Sequence, residues 1–262
     1  FQDFLATNGY EPDPKKGLVT DGSVGRAYIN IGNQRKLVGW YQAWLDQSSP
    51  FGRIGDYRIS TDQPTAIWKP ENSQKFRMTK EQKAEIEELR RQAEVKSAEK
   101  YSQAAQRSQS IWEQCEEVQK HAYLEKKQVL SYGLRKDKHD NLVIPLKDKQ
   151  GSIVGLQFIA PDGTKRFLTG SKKSGSFFLL GREIFKTSDS LNYAEGYATA
   201  ASIYADRSQP VVVAFDAYNL VKVAEVMYQY FPRHKHVFVA DNDDSKTGEK
   251  EAQKAAAYIQ KQ

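Results

Sequence analysis

The chain has 262 residues, of which 39% are hydrophobic and 27% charged, and its formal net charge is +6. This length suits one large domain or two to three small ones. No run of 18 apolar residues occurs, so no segment is predicted to span a membrane. The single cysteine, Cys115, excludes an intrachain disulfide and a Cys-rich zinc site, and it favours a reducing cytoplasm.

Charge is spread unevenly along the chain. From residue 191 onward there are eight Lys/Arg and nine Asp/Glu, a net of −1, whereas residues 1–190 carry 31 − 24 = +7. A basic part joined to an acidic part suits a polyanion that one part holds and the other modifies. Ordinary solubility explains the same distribution equally well.

The first half predicts a small module and a connector. Residues 1–75 form short strands of alternating polarity with many aromatic residues, which indicates a β-rich module. Its rings either form the core or stack on nucleic-acid bases. Residues 76–128 contain a long stretch rich in Glu, Lys, Gln and Ala, which predicts an exposed helical connector. It is either one helix of about fifty residues or two helices broken within "SQAAQRSQS".

Residues 129–187 predict a second β-rich part with a basic segment. The strands "LVIPLKD", "SIVGLQFI" and "KRFLTG" are joined by glycine-containing turns. From residue 163 to 182 there are five basic residues and no acidic one, namely Lys165, Arg166, Lys172, Lys173 and Arg182. With small residues between them, they predict a flexible loop that contacts phosphates. A solvated hairpin is the alternative.

Residues 188–262 alternate strands and helices, which predicts an α/β domain with a mainly parallel sheet. The carboxyl ends of such strands share one edge. Acidic residues follow three of them, namely Glu195, Asp216, Asp241, Asp243 and Asp244. Oxygen ligands of this kind suit Mg²⁺ or Mn²⁺ rather than zinc, although strand-end aspartates also cap helices. Gly196 is expected to allow a tight turn beside Glu195.

These motifs resemble a known family. "EGYATAASI", "VVVAFDAYNL" and "VFVADNDD" resemble the Toprim domain of primases, topoisomerases and some nucleases. The preceding hairpin, with Pro145, Asp148, Gly151 and Gly155 in a P-x-x-D-x-x-G-x-x-x-G pattern, is similar to the segment before Toprim in bacterial-type primases. The closest resemblance is to primases of phages, plasmids and other mobile elements. It implies a chemical role for Glu195 and Mg²⁺ binding by Asp241 and Asp243.

The resemblance implies a DNA-dependent RNA primase that uses single-stranded DNA and NTPs. It also implies two metal ions at the reacting phosphates. A replicative helicase or further domains are the implied partners. No zinc module is recognised, and the domain is expected to be truncated at its C-terminus, where Toprim usually adds a strand. Two other functions stay open. One is a Toprim nuclease or a topoisomerase-like enzyme, which the primase-like hairpin disfavours. The other is a non-catalytic nucleic-acid-binding replication module.

Overall fold

The chain forms two units, each with its own interior. In this computed structural model the described residues are 1–31, 34–45, 50–58, 64–70, 80–185, 187–240 and 246–262. The units are Phe1–Glu87 and Glu88–Gln262. None of the described helices is both long enough and apolar enough to cross a membrane. The finer division into four parts stays a prediction.

The first unit is built on an antiparallel sheet whose five strands are neighbours in chain order. Its elements are helix α1 (Gln2–Thr7) and strands β1 (Tyr10–Pro12), β2 (Asp21–Ile31), β3 (Gln34–Trp44), β4 (Phe51–Asp56) and β5 (Ala66–Trp68). Helix α1 and one face of the sheet enclose a core that includes Leu5, Tyr41 and Ile54.

The tryptophans of the long strand β3 are buried. Trp40 is 2% exposed and Trp44 is 7% exposed. A Cβ atom on Gly55 would come within 2.3 Å of the Trp40 ring, and one on Gly22 within 2.1 Å of the Trp44 ring. Glycine at these two positions therefore gives the indole rings room against the backbone. For these two rings, burial of this degree favours packing against the sheet over base stacking.

A single helix, α2 (Lys80–Gln114), runs through "SQAAQRSQS" without a break. Of the two alternatives, one helix or two, the structure has the single helix, and the small residues in this stretch are packing positions. Ala104 and Ser108 are fully buried, and the Ser108 hydroxyl donates to the Ala104 carbonyl oxygen at 2.7 Å. At its C-terminal end the helix is not exposed on all sides, because Trp112 packs there beside the second sheet.

The second sheet is antiparallel throughout and lies in the order β10-β9-β8-β7-β6. Its strands are β6 (Glu116–Glu117), β7 (Arg135–Lys136), β8 (Leu142–Lys147), β9 (Ile153–Ile159) and β10 (Lys165–Phe167), and helix α3 (Ala122–Lys127) lies between β6 and β7 in the chain. The turn between β8 and β9 is closed by Asp148, whose Oδ1 accepts the amides of Gln150 and Ser152 at 3.0 and 2.9 Å.

The third sheet is mixed, with two parallel pairings and one antiparallel pairing among its described strands. Its strands are β11 (Phe178–Leu180), β12 (Ser190–Ala194), β13 (Val211–Val213) and β14 (Lys235–Val239), in the order β11-β13-β12-β14. β12 pairs in parallel with β13 and β14, whereas β11 runs antiparallel at the edge. With two antiparallel sheets before it, the described chain is largely antiparallel. The prediction missed β11 because it considered only strands that alternate with helices.

Both faces of the third sheet are covered by other elements. The helices are α4 (Tyr197–Arg207), α5 (Leu220–Tyr230) and α6 (Thr247–Gln260), with a 3-10 helix (Ala217–Asn219) before α5. Neighbouring strand residues point to opposite faces. Val211 and Val213 pack on the side of α4, and Val212 packs on the side of α5. Burial on both faces explains the continuous apolar run of β13.

Candidate active site at the ends of the parallel strands

The carboxyl ends of the parallel strands meet at one edge of the third sheet. Ala194, the last residue of β12, is in register with both Val213 and Val239. Glu195 follows Ala194 directly and is half-buried. Asp216 follows the end of β13 by three residues. The parallel register therefore places Glu195 and Asp216 at the same edge.

The third strand end lies beyond the described residues. β14 ends at Val239, and Asp241, Asp243 and Asp244 fall within the stretch 241–245, which the structure does not describe. Their proposed grouping with Glu195 stays a prediction.

Asp216 has two partners in the structure. Its Oδ1 accepts the Tyr218 amide at 3.0 Å and so caps the 3-10 helix. Its Oδ2 lies 3.4 Å from Nζ of Lys173. Both carboxylate oxygens are thus in contact with a donor, which fits the capping alternative and gives Asp216 a link to the basic segment.

Asn219 ties the basic segment to the end of β13. Its side chain is almost fully buried, with Oδ1 accepting the Gly175 amide at 2.8 Å. Its Nδ2 donates to the carbonyl oxygens of Ser176 at 3.0 Å and Ala214 at 2.8 Å. A segment expected to be a flexible loop is therefore linked through the Asn219 side chain to Ala214, which directly follows β13.

Lys173 is further positioned by aromatic rings. Its Nζ lies 4.9 Å from the centroid of the Phe167 ring, within the range of a cation–π interaction. Phe167 meets the buried Phe215 edge to face, with ring centroids 6.2 Å apart. Phe215 has φ +67°, a strained conformation for an aromatic residue, and it directly precedes Asp216.

A cleft of about 340 Å³ opens at the start of α4. Gly196 is the N-cap of this helix, with φ −116° and ψ 158°. Any residue adopts this extended backbone, so the expected tight turn is not what requires glycine here. A Cβ atom on Gly196 would lie 3.7 Å from Nζ of Lys165. A helix N-terminus beside an ammonium group favours an anion.

Two lysines in this cleft were not identified from the sequence. Lys126 and Lys127 occupy the last turn of α3 and line the cleft with Lys165. Asp162 is also there, and its pKa lies below the usual value because the Thr164 backbone amide donates to it and Lys126 is near. Three lysines and one ionised carboxylate leave a surplus of 3 − 1 = +2. Lysines at a helix C-terminus usually indicate pairing with the helix dipole, so the pattern alone did not reveal them.

The structure does not bring all five basic residues together. Lys165 and Lys173 are at the strand-end edge, whereas Arg166 points to the other side of β10 and lies 4.3 Å from the Phe158 ring centroid. Lys172 is exposed. Arg182 follows β11 at the end paired with the start of β13, and it lines a different cavity.

Comparison with known proteins places the C-terminal segment in a family. Residues 190–262 match the Toprim domain model. This segment is a Toprim domain. The predicted resemblance is confirmed, and the site described above occupies the strand-end edge of the Toprim sheet.

Similarity extends over most of the chain. The DNA primase TraC of Escherichia coli is 31% identical over 241 residues, which cover 86% of this chain and 16% of that protein. A second Escherichia coli DNA primase TraC is 31% identical over 261 residues, which cover 92% of this chain and 24% of that protein. The chain thus spans at most about a quarter of the length of these relatives. The primase fragment of the bacteriophage T7 primase-helicase protein is 22% identical with a TM-score of 0.40, covering 48% of this chain and 54% of that one.

Carboxylate oxygens at the Toprim edge suit a hard divalent cation. Among the residues that the structure describes, no three His, Cys, Asp or Glu side chains gather as a ligand set. Glu195 is the described member of the predicted set, and its oxygen donors fit Mg²⁺ or Mn²⁺. Asp241 and Asp243, the other two predicted ligands, would complete an all-oxygen site of the kind these ions prefer.

Proposed function

We propose that this chain is the catalytic region of a DNA primase that synthesises short RNA primers on single-stranded DNA. The main support is the meeting of opposite charges at one edge of the Toprim domain, where Glu195 directly follows strand β12 and Lys165 faces the adjoining Gly196. Nucleotide polymerisation needs carboxylates at the reacting end and cations along the phosphates. The similarity to DNA primases agrees with this function.

In the proposal, phosphates bind where the structure has positive potential. Lys126, Lys127 and Lys165 surround the start of α4, whose N-terminus adds a partial positive charge. Lys173 contacts the template or the nucleotide from its position between Phe167 and Asp216. Lys172, which is exposed next to it, adds to the same surface. Arg166 faces the other side of β10. It contacts nucleic acid only if the DNA wraps around this β-strand.

The carboxylates act at the reacting end. Glu195, Asp241 and Asp243 would hold Mg²⁺ or Mn²⁺, which would supply charge neutralisation at the triphosphate and a lower pKa of the attacking 3′-hydroxyl. Glu195 alternatively accepts the proton of that hydroxyl as general base. Asp216 restrains Lys173, and Asp244 supports the same edge. The proposed partners are single-stranded DNA, NTPs and a replicative helicase.

Three outcomes of one incubation separate the candidate functions. The chain is mixed with single-stranded DNA, labelled NTPs and Mg²⁺ or Mn²⁺. New oligoribonucleotides that require both the template and the metal would support the primase. Cleaved DNA would indicate a Toprim nuclease, and saturable DNA binding without either product would indicate a binding module. The Glu195→Gln variant serves as the matched control for a contaminating polymerase.

A further inference from the structure

A second cavity, of about 310 Å³, lies on the face of the Toprim sheet that α5 covers. Its inner walls come from strand β11 and from helix α5, where Met227 is almost fully buried and Tyr230 is 51% exposed. The rings of Phe185 and Phe231 meet edge to face at 4.2 Å and join these walls. The β8–β9 turn closes one side. This cavity is called the basic-rimmed pocket below, for the cations at its mouth.

Two of the cations that line the pocket, Lys147 and Arg182, have no acidic partner among the residues that the structure describes. Lys147 is half-buried and Arg182 is exposed. The pKa of Lys147 is lowered by burial and, secondarily, by the charge of Arg182. Two neighbouring like charges, one of them partly removed from water, are stabilised when an anion binds between them.

The backbone fixes Lys147 at this position. Its amide donates to the Phe177 carbonyl oxygen at 2.8 Å, and the Phe177 amide donates to the Lys147 carbonyl oxygen at 3.0 Å. This pair of bonds joins the second sheet to the strand that forms the pocket wall. The cationic mouth and the apolar wall are therefore held together without a ligand, which lowers the entropic cost of binding.

We propose that the basic-rimmed pocket binds an acidic peptide segment of a partner protein, with one apolar side chain in the pocket and carboxylates at Lys147 and Arg182. The apolar walls favour a hydrocarbon side chain over a nucleobase, whose ring nitrogens and exocyclic groups would lose hydrogen bonds to water. Asp148 is the acidic group of the wall, and its Oδ1 is engaged by the amides of its own turn. This proposal does not depend on primase activity.

The test uses a fluorescent pentapeptide with three aspartates and a C-terminal phenylalanine. We expect saturable binding to the full chain, with a Kd on the order of 10–100 µM in fluorescence anisotropy. Replacing the peptide's phenylalanine by serine, or its aspartates by lysines, should abolish saturation. No saturable binding up to about 1 mM would overturn the proposal.

Variants locate the peptide. Arg182→Ser should weaken binding about fivefold, and Lys147→Gln together with Arg182→Ser on the order of tenfold or more. Tyr230→Ser, at a half-exposed wall position that folding tolerates, should also weaken it. The control is Lys222→Ser, which removes one positive charge, as Arg182→Ser does, from helix α5 at a position outside the pocket. It should leave the Kd of the peptide within about twofold of the parent value.

Two further results would contradict the assignment. If Lys165→Gln weakens peptide binding as much as Arg182→Ser does, the peptide occupies the strand-end cleft instead. If ATP displaces the peptide from the parent protein and Arg182→Ser weakens ATP binding equally, the pocket is a nucleotide site. Circular dichroism of each variant verifies that the fold is retained, and a pocket variant that unfolds is replaced by Tyr230→Ser for the decision.

Discussion

Nζ of Lys173 lies 3.4 Å from Oδ2 of Asp216, so the basic segment is already paired with a carboxylate at the strand-end edge. A phosphate that binds Lys173 must compete with Asp216 for the same ammonium group. The pair therefore weakens phosphate binding at Lys173 while it fixes where the lysine lies. Because both side chains are more than a third exposed, the pair adds little to stability.

Asp216→Asn should tighten the binding of single-stranded DNA about twofold to fivefold and steepen its salt dependence, because Lys173 loses its competing carboxylate. Asparagine still caps the 3-10 helix, so the free energy of unfolding should change by no more than about 1 kcal/mol. Anisotropy titrations at several salt concentrations measure the affinity. Asp206→Asn is the matched control. An equal gain in DNA affinity in that variant would show that the effect comes from net charge alone.

Lys126→Gln combined with Lys165→Gln should weaken DNA binding and lower the slope of log affinity against log salt by about one to two, because two phosphate contacts are lost. The double variant Lys138→Gln with Lys222→Gln removes the same charge from exposed positions outside the cleft. An unchanged slope in the cleft variant, or the same loss in the control, would show that the cleft does not hold phosphate.

Glu195→Gln should separate catalysis from template binding. The change keeps the size of the side chain and removes its charge, so primer synthesis should fall by about 10²–10⁴-fold. DNA affinity should stay level or rise, because one carboxylate facing the polyanion is gone. Incorporation of labelled NTPs measures primer synthesis, and a DNA titration at fixed salt measures affinity. Priming at the parental rate would remove Glu195 from the mechanism.

Asp241→Ala with Asp243→Ala should weaken Mg²⁺ or Mn²⁺ binding in calorimetry. Without metal, the variant should unfold at the same or a slightly higher temperature, because repulsion between neighbouring carboxylates is relieved. Asp206→Ala, which removes one exposed carboxylate elsewhere, controls for weak surface binding of the ion. Metal affinity equal to that of the parent protein would exclude the D-x-D as the metal site.

The free energy of unfolding should decrease below neutral pH because of the protonation of His236. Its pKa is lowered by burial from the usual 6.5, and Nδ1 lies 2.6 Å from the Tyr193 hydroxyl. Below about pH 6.5 the unfolded chain binds a proton that the folded chain resists, so the free energy of unfolding falls until pH reaches the folded pKa.

His236→Gln should make urea-measured stability less steep in pH between about 7.5 and 5, because this proton linkage is removed. The exposed His139→Gln serves as the control and should leave the steepness as in the parent protein. Identical pH dependence in His236→Gln and the parent would show that another group controls the decrease.

Local patterns in the sequence were sufficient for several elements. The apolar run "VVV" and its neighbours predicted strands that alternate with helices, because burial on both faces demands continuous apolar residues. The glycine-rich turns predicted the β8–β9 hairpin, since such turns depend on a few residues. The "EGYATA" and "VFVADNDD" motifs led to the Toprim resemblance. The choice between one helix and two could not be made from the sequence, because Gly170 and Thr169, which meet Ala104 and Arg107, lie more than 60 residues further along the chain.

By itself, the sequence determined which strands and helices form the Toprim domain, and that acidic residues follow its strands, because periodicity and short motifs act over a few neighbouring residues. Only the tertiary structure decided which cations meet those acids. Lys126, Lys127 and Lys165 converge on Gly196 from distant parts of the chain, whereas Arg182 leaves the basic segment for the other face. Side-chain grouping of this kind depends on long-range strand pairing, which leaves no local pattern in the residues it brings together.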